Sequence, residues 1–444
     1  MGNDVMATNK TSTTLLCTVL HLLVDGLCVC CLYMTAGGCG FSAFAGVFIT
    51  YNVLAFLTQP LTGLVADHVY RQSNILILMA VALLSTAVFV ASIAALFHAQ
   101  AMGAFFCVAI LLGMGNSLFH VWGGKRVACI TRNDIRALGV FVATGAMGLS
   151  IGVVFASWLL LYGLLLAITL ATWAVIRIPD DIPNDSSGSE VNTFGKSWWT
   201  WGAILLLMGF VCLRSFLGES LTAGVTKGSE MILLIGGLAM LGKGLGGWVA
   251  KGIGPWPTLV LALAGTLVCL WLKSETAWLW IPGVLLINLT MAVTLYWSNR
   301  VMPGREGLAF GLLAASLMPG YLLAQLSGSD VYLAPLILRL MLTVAIEVWV
   351  LWRLREKRPD VLWSAVVVNI LTNLPLNLCL IYVGGGWAAL LVGEILVILA
   401  EAVWYRFFTS SWKLGITYSL LCNAISFLCG VLAQLTIILI NIIL

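Results

Sequence analysis

Residues 59–74 read QPLTGLVADHVYRQSN, a short polar break between two apolar runs. Gly63 lets a neighbouring helix approach closely. Asp67 and Arg71 place opposite charges at adjoining helix ends, where they latch neighbours and bias a conformational equilibrium. Such a break makes sense only if the runs beside it cross a bilayer.

The rest of the chain supports that condition. Of 444 residues, 61% are hydrophobic and 9% charged, and the mean hydropathy is +1.05, outside the range of soluble domains. Apolar runs of roughly 20 residues, enough to cross about 30 Å of hydrocarbon, recur from Leu15 to the last residue. They divide into fifteen expected spans: 15–35, 41–66, 74–97, 101–124, 137–155, 157–177, 199–221, 230–250, 257–272, 277–297, 307–327, 332–353, 361–383, 387–405 and 414–442. With the N-terminus inside, most of the 22 Lys and Arg fall on the inner face, and only Lys227 and Lys273 lie in outer loops. The first 14 residues lack a basic leader, so the first span is read as uncleaved. The twelve cysteines lie mostly within apolar helices, where a thiol behaves as a small hydrophobe, so neither disulfides nor a bound metal nor any cofactor is expected.

The longest polar interruption, IPDDIPNDSSGSEVNTFGKS at 178–197, is a linker. Six spans precede it, and six follow before the basic cluster Arg353, Arg355, Lys357 and Arg358. The expected organisation is therefore an all-α integral membrane protein with four parts. These are a six-helix bundle at 1–177, a cytoplasmic linker at 178–198, a pseudo-symmetric second bundle at 199–354 and a three-helix membrane extension at 355–444. Paired bundles that rock about a central site are a transporter signature. WGGKRV at the end of the fourth span and WSNRV at the end of the tenth are one trace of this symmetry. A second repeat lies further on: Glu347 and Asn369 stand 22 apart, as do Glu401 and Asn423, with the pairs offset by 54 residues.

Ionisable groups inside spans identify the candidate site. His21 and Asp25 are one turn apart on the first span, and Asn116, His120 and Gly124 form one stripe on the fourth, with Gly123 clearing space beside the imidazole. A mid-membrane carboxylate costs roughly 2.5–3.5 kcal/mol or more unless protonated or paired. Arg214, on the seventh span, is the natural partner for Asp25, because arginine keeps its charge and must find an anion or water. Two readings follow: a cavity in which substrate or proton competes for the Asp25–Arg214 pairing, or a permanent ion pair that fixes packing. Lys243, in a glycine-rich helix, either snorkels or supplies a second anion contact. Lys125 and Arg126 end the fourth span, where snorkelling to headgroups competes with a gating role. Arg126 and Arg300 join Gly63, Asp67 and Arg71 as candidate gating residues. In the extension, Asn369, Asn373 and Asn377 form one helical stripe and Glu394 and Glu401 another; together with Glu347 and Asn423 they read as structural glue or as a separate proton or ion path.

Four stretches together carry a family resemblance: HLLVDG at 21–26, LTQPLTGLVAD at 57–67, GMGNSLFHVWGGKRVA at 113–128 and CLRSF at 212–216. The chain resembles the major facilitator superfamily, and within it the fosmidomycin-resistance-like branch, over most of residues 15–327. Tyr70 stands where the loop motif usually has Gly, Val121 replaces a proline after the histidine, and Lys251 replaces the acid of the motif's second copy. The resemblance implies alternating access, proton coupling with efflux by antiport, and a bacterial inner membrane.

The sequence has no HExxH and no Walker loop, so neither an enzyme nor an ATP-driven pump is expected. Two functions stay open. One is a secondary transporter exporting a small organic compound, with protons as coupling ion, no nucleic-acid partner and a monomeric state in the bilayer. The other is a transport-fold scaffold or lipid-handling protein acting through its C-terminal helices.

Overall fold

The computed structural model describes residues 2–69, 73–97, 102–178, 198–225, 228–273, 276–326, 333–383 and 387–443; among these every regular element is helical. In a bilayer each backbone N–H and C=O must be satisfied within the protein, and helices do this segment by segment. Among the described residues, twelve helical segments are long and apolar enough to cross a membrane. The large side chains left facing outward fit the same environment: Leu159 is 86% exposed, Trp271 78% and Leu206 74%, tolerable in lipid but costly in water.

The first span is α1 (Gly2–Ala36). The second is broken into α2 (Phe41–Asn52), a π turn at Val53–Leu57, and α3 (Gln59–His68). Pro60 causes the break, because it has no N–H to donate and its ring displaces the preceding turn. The local carbonyls stay satisfied: Thr58 Oγ1 donates to Leu54 O at 2.6 Å and Gln59 Nε2 to Ala55 O at 2.8 Å. Next come α4 (Ser73–Leu96) and α5 (Met102–Ile130), then a fifth span divided at Thr144 into α6 (Ile135–Ala143) and α7 (Gly145–Val154), and α8 (Trp158–Ile176). Side-chain caps start two of these helices: Asp134 accepts from Arg136 N at 2.9 Å and Ser157 from Leu160 N at 3.2 Å. The second half follows as α9 (Trp198–Thr222), α10 (Ser229–Ile253), α11 (Pro255–Leu272), α12 (Trp280–Val301), and an eleventh span made of α13 (Glu306–Ala315) and α14 (Leu317–Leu326). The remaining helices are α15 (Leu333–Arg353), α16 (Pro359–Val383), α17 (Trp387–Thr409) and α18 (Trp412–Ile443).

Contacts divide the chain into two compact units: Met1–Asn192 with Leu206–Gln325, and Thr193–Leu205 with Leu326–Leu444. In the first unit α1 packs on α5, α7 and α8, while α10, α11 and α12 pack together in the second half. The two halves meet where α3 lies on α13 and where α10 runs along α6 and α7. In the second unit α15–α18 close a ring, each helix touching the next and α18 returning to α15. The helix counted in sequence as the twelfth span thus packs with the extension.

Candidate functional site

The two halves of the first unit are latched at the end bearing the turns after spans two, four and ten. Gly63 and Gly307 bring α3 and α13 to backbone contact: a Cβ on Gly63 would overlap Gly307 O and come within 2.8 Å of Leu308 Cα. Asp67 uses that approach. Its Oδ1 accepts from Gly307 N at 3.0 Å and its Oδ2 from Leu308 N at 2.9 Å, so a carboxylate caps the positive end of α13. Lys125 Nζ holds Asp67 Oδ1 at 3.1 Å and Ala66 O at 2.7 Å. A second bridge links the turn after α5 to α12: Asn133 Nδ2 donates to Tyr296 O at 3.0 Å, and Asn299 Nδ2 donates to Asn133 Oδ1 at 2.9 Å.

The other gating candidates fare differently. Lys125 and Arg126 are 6% and 4% exposed, so neither snorkels; each is bonded to acceptors within the protein. Arg126 bonds Asn74 Oδ1 at 3.1 Å and the carbonyls of Val175 and Ile178, within its own half. Arg300 is exposed and turns back along α12 to Tyr296 Oη at 2.8 Å, so it does not join the latch. Arg71 lies outside the described residues.

Deeper in the first half, α1 and α5 bring four polar side chains together. His120 Nε2 lies 2.9 Å from His21 Nε2. Asp25 Oδ2 is 3.3 Å from His21 Nε2, and Oδ1 is 3.5 Å from His120 Nε2. Asn116 Nδ2 donates to Asp25 Oδ1 at 2.9 Å. The outer ring nitrogens are committed to carbonyls, His21 Nδ1 to Phe141 O at 2.8 Å and His120 Nδ1 to Asn116 O at 3.0 Å. A carbonyl only accepts, so both Nδ1 atoms carry hydrogen, and the facing Nε2 atoms are left with lone pairs. The two lone pairs face each other with the carboxylate beside them, one oxygen towards each ring, and that arrangement holds together only around a positive charge. Among the described residues, His21, Asp25 and His120 form a group whose ligand atoms all lie within 4.8 Å of one another, a spacing an ion can bridge.

The glycines nearby explain the approach of the helices. Gly145 begins α7 so close to this cluster that a Cβ there would overlap Asp25 Oδ2 and His21 Nε2. Gly123 lies under the Phe141 ring and Gly124 under that of Phe310, so the space these two glycines clear is filled by rings of neighbouring helices.

Arg214 is not brought to Asp25. Asp25 is fully engaged by three groups of its own half, and the expected ion pair is absent from the structure. Arg214 is 6% exposed, and its Nε and Nη2 have no partner. Lys243 on α10 is near enough to both Arg214 and Asp25 for their charges to act on it, and its own charge reaches His120. Lys243 is half-buried, so part of its side chain lies within the protein.

In the second unit the repeated acids are each held by the amide 22 residues further on. Asn369 Nδ2 donates to Glu347 Oε2 at 2.7 Å, and Asn423 Nδ2 donates to Glu401 Oε2. Thr372 Oγ1 adds a bond to Glu401 Oε1 at 3.0 Å, and Asn373 Nδ2 donates to Asn369 Oδ1 at 2.9 Å. Asn377 bonds only the carbonyl of Asn373, while Glu394 is half-buried and adds no hydrogen bond to the network. Both paired glutamates are fully buried.

No protein-family model matches the chain, and no curated protein matches it. Solved structures do. A variant of the Escherichia coli fucose:proton symporter FucP aligns with a TM-score of 0.53 at 11% identity, covering 83% of this chain and 98% of that one. FucP in the outward conformation gives 0.52 at 12% identity, covering 80% and 97%. The human organic anion transporter MFSD10 (TETRAN) gives 0.51 at 15% identity, covering 84% and 99%. This chain has the fold of the major facilitator superfamily transporters.

Proposed function

We propose that the chain is a secondary active transporter that exports a small organic anion in exchange for protons by alternating access. The observation that carries this reading is Arg214. A buried guanidinium with two unpartnered nitrogens carries a large desolvation cost unless an anion visits it, and Lys243 adds a second positive charge nearby. Proton coupling is what the family resemblance implies, and FucP is itself a proton symporter. MFSD10, of the same fold, is an organic anion transporter. Residues 1–177 and 199–326 act as the two rocking bundles about the 178–198 linker, and the helix at 333–353, which packs with the C-terminal helices, joins 355–444 as an added membrane module. The latch end is cytoplasmic, and the protein works as a monomer in a bacterial inner membrane with its N-terminus inside. In this orientation Asp67, Lys125, Asn133 and Asn299 hold the cytoplasmic side shut, and export requires them to part.

Reconstitution of the full chain in proteoliposomes with an imposed pH gradient tests the reading. A panel of labelled carboxylates and phosphonates is expected to yield at least one whose flux follows the gradient and is lost in Arg214→Gln. Gradient-independent flux, or none across the panel, overturns it in favour of a scaffold or lipid-handling role for the C-terminal helices, whose self-contained polar network is the observation favouring that alternative.

A further inference from the structure

The geometry points to a divalent transition-metal site at His21, Asp25 and His120, occupied by an ion such as Zn²⁺ or Co²⁺ at the point where the three side chains converge. The separations of the facing atoms are 2.9, 3.3 and 3.5 Å. Four ligands placed tetrahedrally at about 2.0–2.1 Å from an ion stand about 3.3 Å from one another. The carboxylate offers a different oxygen to each ring, Oδ2 to His21 and Oδ1 to His120; with one ligand atom from each residue the three lie within 4.8 Å of one another, and rotation of the Asp25 carboxylate about its Cβ–Cγ bond draws them towards the tetrahedral spacing.

The surroundings are those a metal requires. Ligating imidazoles normally donate their second ring N–H to a carbonyl or carboxylate, which fixes tautomer and orientation. Here both do, to Phe141 O and Asn116 O. The ligating carboxylate is itself held, by Asn116 Nδ2. Two neutral imidazoles and one carboxylate leave a dication with one net positive charge and one open position, and that position suits water or the oxygen of an organic anion. The side chain of His120 is still 11% exposed, which leaves the triad an edge for entry. Lys243 and Arg214 oppose a bare dication but favour the ion together with an anion. The inference rests on the transport reading only in making this anion the cargo.

The test is Co²⁺ titration of the purified full-length protein in detergent, with thiols blocked beforehand, followed by the visible ligand-field spectrum. One Co²⁺ per chain is expected, with a low-coordinate spectrum that is lost in His120→Gln and in His21→Gln. Asn116→Ala is expected to weaken binding about tenfold by releasing the carboxylate. Because a misfolded variant also loses binding, Lys243→Met serves as the gain-of-binding counterpart: removal of the opposing charge is expected to tighten Co²⁺ several-fold. Absent stoichiometric binding, binding unchanged in His120→Gln, or binding no tighter in Lys243→Met overturns the site. Co²⁺ binding without gradient-driven flux removes the transport reading and leaves the metal site, whereas flux without Co²⁺ binding does the reverse.

Discussion

Asp67 caps the helix that begins at Gly307, with its two oxygens on the N–H groups of Gly307 and Leu308 and Lys125 behind it. One carboxylate thereby ties span two, span four and span eleven at a single point. Charge-assisted bonds of this kind contribute about 1.5–3 kcal/mol. Asp67→Asn is expected to weaken the closed arrangement by about 2 kcal/mol, a roughly thirtyfold shift in the equilibrium. A lone cysteine at Leu308, buried in this state, then reacts faster with an impermeant maleimide. Unchanged reactivity would mean that Asp67 serves only local packing.

Gly63→Ala attacks the same contact from the backbone. The added methyl meets Gly307 O and Leu308 Cα, neither of which can swing aside as a flexible side chain does. The expected effect on Leu308→Cys labelling is at least that of Asp67→Asn, and the double variant adds little, because the two changes break one interface. Gly202→Ala, where a Cβ meets no neighbour within 4 Å, is the matched control and leaves labelling unchanged.

These contacts differ in how far they could be read from residues alone. Helical spacing places His21 over Asp25 and Asn116 over His120, since residues four apart share a face, and the structure has the four within bonding reach. Spacing carries no information on which face of another helix lies opposite. That is why charge alone pairs Arg214 with Asp25 in the sequence, although Asp25 has closer partners within its own half. The same limit applies to Lys125, which at a helix end reads as a headgroup anchor until α3 is seen to supply Asp67 and Ala66 O. Asn133 had a faint local signal: the turn RND at 132–134 puts Arg132 and Asn133 at φ of 54° and 59°, a left-handed geometry that asparagine tolerates. Its bond to Asn299 joins residues 166 apart and had none. The repeat of Glu–Asn pairs at 22 was visible because each pair belongs to one hairpin, where sequence distance sets spatial register.

Removal of Arg214 separates stability from transport. An unpartnered buried charge destabilises the fold that contains it, so Arg214→Met is expected to raise the thermal midpoint of the purified protein while abolishing anion flux. Arg214→Lys keeps a charge but loses the planar fork that seats carboxylate or phosphonate, and retains at most weak flux. A lowered midpoint for Arg214→Met would show that the guanidinium makes stabilising contacts and is not held in readiness for a ligand.

The turn between α15 and α16 carries the most legible pH dependence, because it lies outside the spans. Glu356 accepts from Arg358 N at 3.0 Å, Nε at 2.9 Å and Nη2 at 2.6 Å, and from Tyr418 Oη at 3.0 Å, which fastens the turn to α18. Burial pushes its carboxyl up, but the Arg358 and Tyr418 bonds prevail and hold it at about 2, below the ordinary 4.5. A carboxyl depressed in the fold adds stability that is fully present above its ordinary value and is lost as pH falls from there towards 2. Glu356→Gln is therefore expected to speed amide hydrogen exchange in the 354–358 turn and the start of α18 at pH 7, by the equivalent of about 1.5–3 kcal/mol. The gap between variant and wild type should narrow once the pH drops below 4.5, because the wild type then begins to take up the same proton. A gap that stays constant from neutral pH to pH 4 would assign the effect to packing of the amide and not to the charge.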